Sequence, residues 1–139
     1  MKQKIMSQEE INTIVPPICE YAKKGDIESV KVELAKGEDI NITDSGFAIS
    51  RWTALHYATS YDQVEVVKLL IRHGANLNQV DHFSKTPLHV ALFTGSYNSA
   101  EVLVKSGARK DIKDDSGMTA SDMIKQKLTK NRGCVLIPK

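Results

Sequence analysis

The chain has 139 residues, of which 41% are hydrophobic and 26% charged, and its formal net charge is +2. These values are typical of one soluble domain, and the charge is too small to indicate nucleic acid or an anionic membrane as the partner. Two cysteines are too few for a disulfide framework, and the first residues carry no apolar run of the kind that a signal peptide needs. The sequence therefore predicts an intracellular, cytoplasmic protein.

The first predicted element is an N-terminal extension, residues 1–15, in which Ser7 and Glu10 have the spacing of a capping box. We therefore expect a short helix before Pro16. A pair of helices is predicted to follow Pro16. The second helix of this pair carries three apolar residues at helical spacing, namely Ile27, Val30 and Leu34.

Three later segments repeat with a step of 33 residues. TALHYATSYD begins at Thr53, TPLHVALFTG at Thr86 and TASDMIKQKL at Thr119. The copy that begins at Pro16 precedes the Thr53 copy by 37 residues, so four additional residues lie between Asp44 and Thr53. Repetition at such a period is typical of architectures in which similar units stack, because one helix pair cannot bury its apolar face alone.

Each unit is predicted to form two helices joined by a turn and followed by an extended loop. The threonine that opens a unit can cap the first helix through its hydroxyl, and Pro87 suits the first helical position. Two of the second helices carry apolar columns at helical spacing: Val64, Val67 and Ile71, and then Tyr97, Ala100 and Val104. The second helices are expected to end where glycine permits a left-handed turn, at Gly37, Gly74 and Gly107.

The two ends of the array depart from this pattern. Glu33 stands where later copies have Leu70 and Leu103, which favours a polar-faced capping unit at the N-terminal end. Leu128 stands at the glycine position of the last unit, and no second amphipathic helix follows, so this unit is predicted to be half a repeat. The final residues are predicted either to lie over the open end of the stack or to remain without order.

The segments TALHYA, TPLHVA, EVVKLLIRHGANLN and DDSGMT are similar to ankyrin repeats, and the resemblance covers about residues 16–125. It implies an all-α fold, an ankyrin-repeat α-solenoid of helix-turn-helix units with extended loops and β-hairpin tips. The implied domain spans 16–130, with an N-capping repeat at 16–48, repeats at 49–81 and 82–114, a C-terminal half-repeat at 115–130, and a tail at 131–139. The chain departs from the family pattern at five positions: Arg51 and Ser84 replace the loop glycine, Asp62 replaces the glycine between helices, and Cys19 and Asp122 replace the histidine.

Two histidines, His56 and His89, recur at the 33-residue step. As zinc ligands they would need Cys or carboxylate partners at ligand spacing, which the sequence does not supply. In ankyrin repeats this histidine hydrogen-bonds between neighbouring units, so we expect a structural role. The sequence also contains no GxSxG, HExxH or glycine-rich phosphate loop. We therefore predict that the chain is not an enzyme, with no catalytic residue, no metal and no cofactor.

Two further patterns are given ordinary roles. Asn41 and Asn78 match a position that is hydroxylated in some animal ankyrin proteins, but a loop hydrogen bond is the expected role here. The basic residues near the C-terminus are interpreted as a solvated helix face, because nucleic-acid binding would require more charge and interleaved aromatic residues. These residues are Lys125, Lys127, Lys130 and Arg132.

In ankyrin repeats the partner-facing residues lie at the loop tips and at the ends of the first helices, on the concave side. The matching positions predicted to bind a partner are Phe47, Arg51, Trp52, Tyr61, His82, Phe83, Lys85, Phe93 and Met118. Aromatic side chains bury a large area, and basic residues lie among them, so we expect a protein partner with an apolar patch rimmed by acidic residues. For Phe47 and Ile49, in the longer first loop, the sequence leaves open whether they contact the partner or plug the junction between repeats.

The predicted function is protein–protein interaction, as an adaptor, inhibitor or targeting subunit that presents a rigid face and is a monomer when free. Neither nucleic acid nor a membrane is expected as the partner. Two alternatives stay open: a structural subunit of an oligomer or complex that associates through its terminal segments, and a binder of small molecules or nucleic acid. The resemblance is also compatible with a nuclear protein or with an effector secreted into a host cell.

Overall fold

The computed structural model describes residues 15–44 and 50–136, the side chains of residues 130–136 excepted. Within these residues the chain forms three helix pairs and a last single helix. The pairs are α1 Pro17–Lys24 with α2 Ile27–Ala35, α3 Ala54–Ser60 with α4 Val64–Arg72, and α5 Pro87–Thr94 with α6 Tyr97–Lys105, and the last helix is α7 Ala120–Leu136. The proposed capping box of Ser7 and Glu10 lies outside the described residues, as do Phe47 and Ile49.

The helices stack in two rows. The first helices α1, α3, α5 and α7 contact one another in chain order, and the second helices α2, α4 and α6 do the same. A leucine from each of four helices is fully buried between the rows: Leu55, Leu70, Leu88 and Leu103. Small residues such as Ala58 and Ala91 let neighbouring units approach closely. The predicted all-α helical solenoid is confirmed.

Threonine caps the first helices as predicted. Thr53 Oγ1 accepts a hydrogen bond from His56 N, and Thr86 Oγ1 accepts one from His89 N, each over 3.3 Å. In the last unit Asp122 stands in the place of the histidine and closes an equivalent box, because Thr119 N donates to its carboxylate over 3.1 Å. The cap therefore survives the loss of the family histidine at this position.

Backbone conformation also follows the repeat. Gly37, Gly74 and Gly107 have φ of 85°, 86° and 97°, the left-handed conformation expected after a helix. The three residues that replace family glycines keep a positive φ as well, with 57° at Arg51, 52° at Asp62 and 61° at Ser84. The backbone therefore retains the repeat geometry at positions where a side chain makes that conformation costly.

Two of the predicted core positions in α6 are wrong. Tyr97 is 54% exposed and Val104 is 36% exposed, whereas Ser99, Ala100 and Leu103 form the buried side of the helix. The reason is that the last unit supplies only α7 within the described residues, and α7 packs on α5. The helix α4 packs against second helices on both sides, α2 and α6, whereas α6 has only α4 in the described part of the chain.

Both ends differ in detail from the sequence-based expectation. Glu33 is only 7% exposed and its carboxylate lies 2.8 Å from Lys36 Nζ, so the residue is buried and paired rather than presented to solvent. At the other end α7 continues to Leu136, six residues beyond the predicted boundary at residue 130. The half-repeat is thus a single long helix that enters the segment interpreted as a tail.

Candidate protein-binding face

The loop tips are built around an aspartate that repeats every 33 residues. Asp81 Oδ1 accepts hydrogen bonds from the backbone N of Phe83 and Lys85, over 2.8 and 2.9 Å. Asp114 Oδ1 likewise accepts one from Met118 N over 3.0 Å. Each aspartate N also donates to the carbonyl four residues later, over 2.9 Å. These carboxylates are used to close tight turns, which leaves them unsuited to acid–base chemistry.

The first tip has the same closure with a longer span. Asp44 N donates to Trp52 O, and Trp52 N donates to Asp44 Oδ1, each over 2.9 Å. Thr43 and Thr53 form an antiparallel bridge just outside this closure. In this tip the closing bonds join residues that are eight positions apart in the sequence, whereas in the other two tips they join residues four positions apart. The four additional residues therefore lie between Asp44 and Trp52, and Trp52 takes the place that Lys85 and Met118 have in the later tips.

Side chains connect each tip to the next. Trp52 Nε1 donates to Asp81 Oδ2 over 2.8 Å, and Lys85 Nζ lies 2.9 Å from Asp114 Oδ2, so two different side chains perform the same bridging role. Burial alone would raise the pKa of the Asp114 carboxyl, but hydrogen bonds from Lys85, from Ser116 and from backbone N–H groups outweigh it and hold the pKa well below its usual range. The tips are thereby fixed relative to one another.

The repeated histidines brace neighbouring units, as expected. Thr53 N donates to His56 Nδ1 over 3.2 Å, and since a backbone N–H can only donate, Nδ1 is the unprotonated nitrogen. His56 Nε2 then carries the proton and donates to the Lys85 carbonyl over 3.1 Å. His89 makes the equivalent bond to the Met118 carbonyl over 2.9 Å. Burial lowers the pKa of His56, although the bond to Lys85 and the nearby carboxylates oppose this shift.

The other candidate chemical groups also have structural roles. Asn41 Oδ1 accepts from Asn76 N over 2.8 Å, and Asn78 Oδ1 accepts from Arg109 N over 2.9 Å, which are the expected loop hydrogen bonds. Cys19 is fully buried, and burial together with the charge of Asp44 raises the pKa of its thiol. A thiol in such a place is a poor nucleophile. Among the described residues we find no group of three or more His, Cys, Asp or Glu that could hold a metal ion.

Two exposed phenylalanines and Trp52 form an apolar cavity between the tips and the first helices. Phe83 is 55% exposed and Phe93 is 75% exposed. The cavity has a volume of about 250 Å³, and its walls are Ser50, Trp52, Asp81, Phe83, Lys85, Val90, Phe93 and Thr94. We call the surface formed by these eight residues together with Arg51 and His82 the loop-tip face.

Trp52 is the fixed wall of this cavity. Its ring stacks on His56 with 6.0 Å between centroids and meets the edge of Tyr57 at 5.1 Å, while its Nε1 is held by Asp81. The side chain is half-buried rather than free. Trp52 can therefore offer one face of its ring to a ligand without first losing conformational freedom.

The remaining predicted residues divide into three groups. Arg51 and His82 are chain neighbours of wall residues, and His82 lies edge-on to Phe83 with 5.3 Å between ring centroids. Tyr61 belongs to the preceding unit, where Lys23 Nζ lies 5.5 Å from its ring centre, and Met118 is half-buried in the third tip. Phe47 lies outside the described residues. The structure thus brings together Trp52, Phe83, Lys85 and Phe93 in one cavity but leaves Tyr61 and Met118 outside its walls.

A second cavity on the other side of Phe93 was missed from the sequence. It has a volume of about 310 Å³ and is lined by Phe93, Met123, Gln126 and Lys127. A step of 33 residues from Phe93 and Thr94 leads to Gln126 and Lys127, so the repeat contained the signal. Val90 was missed as well: it is a buried residue in the middle of α5, and its place in the cavity wall depends on packing rather than on the pattern.

No helix in the described part of the chain is both long and apolar enough to cross a membrane.

A family model for ankyrin repeats, in three copies, matches residues 18–114, and the chain therefore belongs to the ankyrin-repeat family. Among individual relatives, the chain is similar to protein phosphatase 1 regulatory subunit 27 from Homo sapiens, with 37% identity over 112 residues. This alignment covers 76% of the chain but 66% of the relative, just under two thirds of its length. The same subunit from Mus musculus is 36% identical over 107 residues, with the same coverage of both chains.

A further relative shows that the same repeat occurs in proteins with very different activities. The glycerophosphocholine phosphodiesterase gde1 of Schizosaccharomyces pombe is 38% identical over 110 residues, which are 78% of this chain but only 9% of that protein. Similarity confined to so small a part reflects the shared repeat and carries no argument about activity. The regulatory subunits are therefore the more informative relatives, and they suggest a protein-interaction or regulatory role.

Proposed function

We propose that the chain is a non-catalytic protein-interaction module that acts as an adaptor, inhibitor or targeting subunit and binds its partner on the loop-tip face. The observation that carries this proposal is the exposure of Phe83 and Phe93 beside the fixed ring of Trp52. Large aromatic side chains at a preorganised surface are the usual anchors of protein interfaces. Rigid tips also reduce the ordering entropy that binding would cost.

The charges around the cavity favour a partner with an apolar patch rimmed by acidic residues. Arg51 is exposed at the first tip, and Lys85 keeps 31% of its side chain exposed although it pairs with Asp114. Complementary charge at the rim steers association and fixes the register of docking. The names of the human and mouse relatives make a protein phosphatase catalytic subunit one specific candidate partner.

Affinity capture from a lysate of the source cells, read by mass spectrometry, tests this proposal. The baits are the wild type, a Phe83→Ser/Phe93→Ser double variant, and a Val32→Ser control that removes an exposed apolar side chain elsewhere. Circular dichroism must first show that all three baits are folded. We expect a partner that wild type and control retain and the double variant loses. Equal retention by all three baits would exclude the loop-tip face.

A second candidate is assembly into an oligomer or complex through the C-terminal end. Tyr97 and Leu128 are 54% and 55% exposed there, and they line a cavity of about 250 Å³ with Leu92, Ile124 and Lys127. Light scattering separates the two candidates. A monomeric mass that does not change over a hundredfold range of protein concentration supports the monomeric adaptor, and a mass that rises with concentration supports assembly.

We further propose that the protein works in a reducing compartment inside the cell. Cys19 is a free, buried thiol, and free cysteines suit the cytoplasm, where disulfides are rare. Fluorescence microscopy of a tagged chain tests this proposal, and an extracellular signal would overturn it.

A further inference from the structure

The two cavities described above share one wall residue, Phe93. Phe93 belongs to the walls of both and stands between them with 75% of its surface exposed. The first cavity is lined by residues of the first two tips and of α5, and the second by Phe93 of α5 and residues of α7. A ligand that fills both must therefore cross the Phe93 ring.

We infer that the two cavities are consecutive subsites for one extended, acidic segment of a partner protein, which inserts an apolar side chain on each side of Phe93. This inference rests on the proposed function, because it names the kind of segment that the loop-tip face would bind. It adds Met123, Gln126 and Lys127 of α7 to that face.

The spacing of the two anchors follows from the packing of the helices. The two subsites lie on either side of α5. Neighbouring helices pack about 8–10 Å apart, so we expect a similar distance between the two anchors. In a polyproline II segment, residues i and i+3 lie on the same side and about 9 Å apart. Residues i and i+2 of a β-strand, about 7 Å apart, fall short of that distance. The segment is therefore expected to carry apolar residues three positions apart.

The charges that line the subsites favour acidic neighbours for these anchors. In the first cavity Asp81 already accepts bonds from Trp52 Nε1 and from two backbone N–H groups, and Lys85 is balanced by Asp114. In the second cavity Lys127 is the charged residue of the wall, and its Nζ lies over the Tyr97 ring at 5.6 Å.

The exposed charges nearby add to this basic character. Arg51 is exposed and stands in the chain between Ser50 and Trp52, two wall residues of the first subsite, and Asp115 is an exposed carboxylate of the third tip. Basic residues therefore outnumber acidic ones among the free charges of this surface. An acidic segment would gain favourable long-range attraction here, and that attraction should weaken with salt.

Selection from a phage library of random 12-residue peptides tests the inference directly. The immobilised full chain is the target, and a Phe93→Ser variant is used for counter-selection, because this exposed side chain is removable without loss of core packing. We expect enriched sequences that share two apolar residues at i and i+3 and a negative net charge. Enrichment of basic peptides, of anchors at another spacing, or of nothing beyond the Phe93→Ser background would overturn the inference.

The affinity of one enriched synthetic peptide without tryptophan then tests the subsites. Trp52 is the only tryptophan of the chain and a wall of the first subsite, so its emission reports binding there. We expect Phe93→Ser to weaken binding at least tenfold and Lys127→Glu to weaken it several-fold, with Val32→Ser unchanged as the control. Retention of affinity in both subsite variants would contradict the two-subsite arrangement.

The two proposals fail in different ways. If the lysate capture finds a partner that depends on Phe83 and Phe93 while the peptide selection fails, the face binds a folded surface and only the extended-segment inference is overturned. If the selection succeeds and the capture baits behave alike, the subsites exist but the cellular partner binds elsewhere.

Discussion

His56 shows how one residue couples a helix cap to the neighbouring unit. Its Nδ1 accepts from Thr53 N within its own unit, and its Nε2 lies 3.1 Å from the Lys85 carbonyl of the next. Protonation of Nδ1 would place a donor against the Thr53 N–H and break the cap. The cap and the link to the next unit therefore require the neutral imidazole, and acid should lower the stability of the fold.

The pH dependence of stability tests this coupling. Burial lowers the folded pKa of His56 below its ordinary value of 6.5, so between the two values the unfolded chain binds more protons. The contribution of His56 is thus fully present above about pH 6.5 and is lost as the pH falls toward the lowered folded pKa. We expect urea midpoints to fall over this range, and His56→Asn to show a smaller fall. His82→Asn at an exposed site is the control, and an unchanged slope in His56→Asn would contradict the account.

Ser84 and Asp62 share a left-handed backbone but should respond oppositely to glycine. At Ser84 glycine removes a steric cost of about 1–2 kcal/mol, partly offset by greater freedom of the unfolded chain, and we expect a net gain of up to about 1 kcal/mol. At Asp62 glycine also removes the acceptor of bonds from Ser99 N and Oγ, at 3.0 and 2.7 Å. Because Ser99 is fully buried, we expect a net loss of about 1–2 kcal/mol. Urea unfolding measures both variants, and a gain of stability in Asp62→Gly would contradict the role given to Asp62.

Trp52 contributes to stability as well as to the cavity. The contacts with His56, Tyr57 and Asp81 favour a loss of about 1–3 kcal/mol for this half-buried ring, less than the 3–5 kcal/mol of a buried one. Phe93→Ser should change stability by at most about 0.5 kcal/mol. Thermal unfolding compares the two, and equal stability of Trp52→Ala and wild type would show that these contacts contribute nothing.

At the scale of the helices, the core lies between the two rows and not on the outer side of α6. Leu88 of α5 is fully buried, so Leu88→Ala should lower the free energy of unfolding by about 2–5 kcal/mol. Val104 of α6 is 36% exposed, and Val104→Ala should cost less than about 1 kcal/mol. Urea unfolding of the two variants measures the difference. Similar losses in both would indicate that the open side of α6 is covered in solution.

The elements were predictable because their signals are local or strictly periodic. The threonine caps, the helix-ending glycines and the 33-residue step all appear in the sequence, and the structure confirms them. The exposure of Tyr97 was not predictable from helical spacing, because it depends on which neighbours are present. Likewise the bond from Trp52 to Asp81 joins residues 29 apart and needs the stacked tips to form.

The candidate site was predictable only in part for the same reason. Family positions identified Trp52, Phe83, Lys85 and Phe93, which the structure brings together around one cavity. The contribution of Val90 and the second cavity beside Met123 arise from the packing of α5 against its neighbours. Whether these residues bind a partner stays a prediction.

At the scale of the whole molecule, the structural network of hydrogen bonds and the exposed anchors of the proposed binding surface are different side chains. Histidines and aspartates fix the units and tips relative to one another, and the exposed phenylalanines are left free of that network. A rigid array of this kind can present a face without a conformational change. The open end of the stack near Tyr97 is the competing surface.

Site-directed photo-crosslinking tests the choice between these surfaces most directly. A p-benzoylphenylalanine is placed at position 83, 93 or 97, each an exposed aromatic position, and each chain is irradiated with the captured partner. We predict strong crosslinks from positions 83 and 93 and at most weak ones from position 97, which lies beside Lys127 at the edge of the second cavity. Crosslinks from position 97 alone would contradict this prediction and would place the interface at the C-terminal end of the stack.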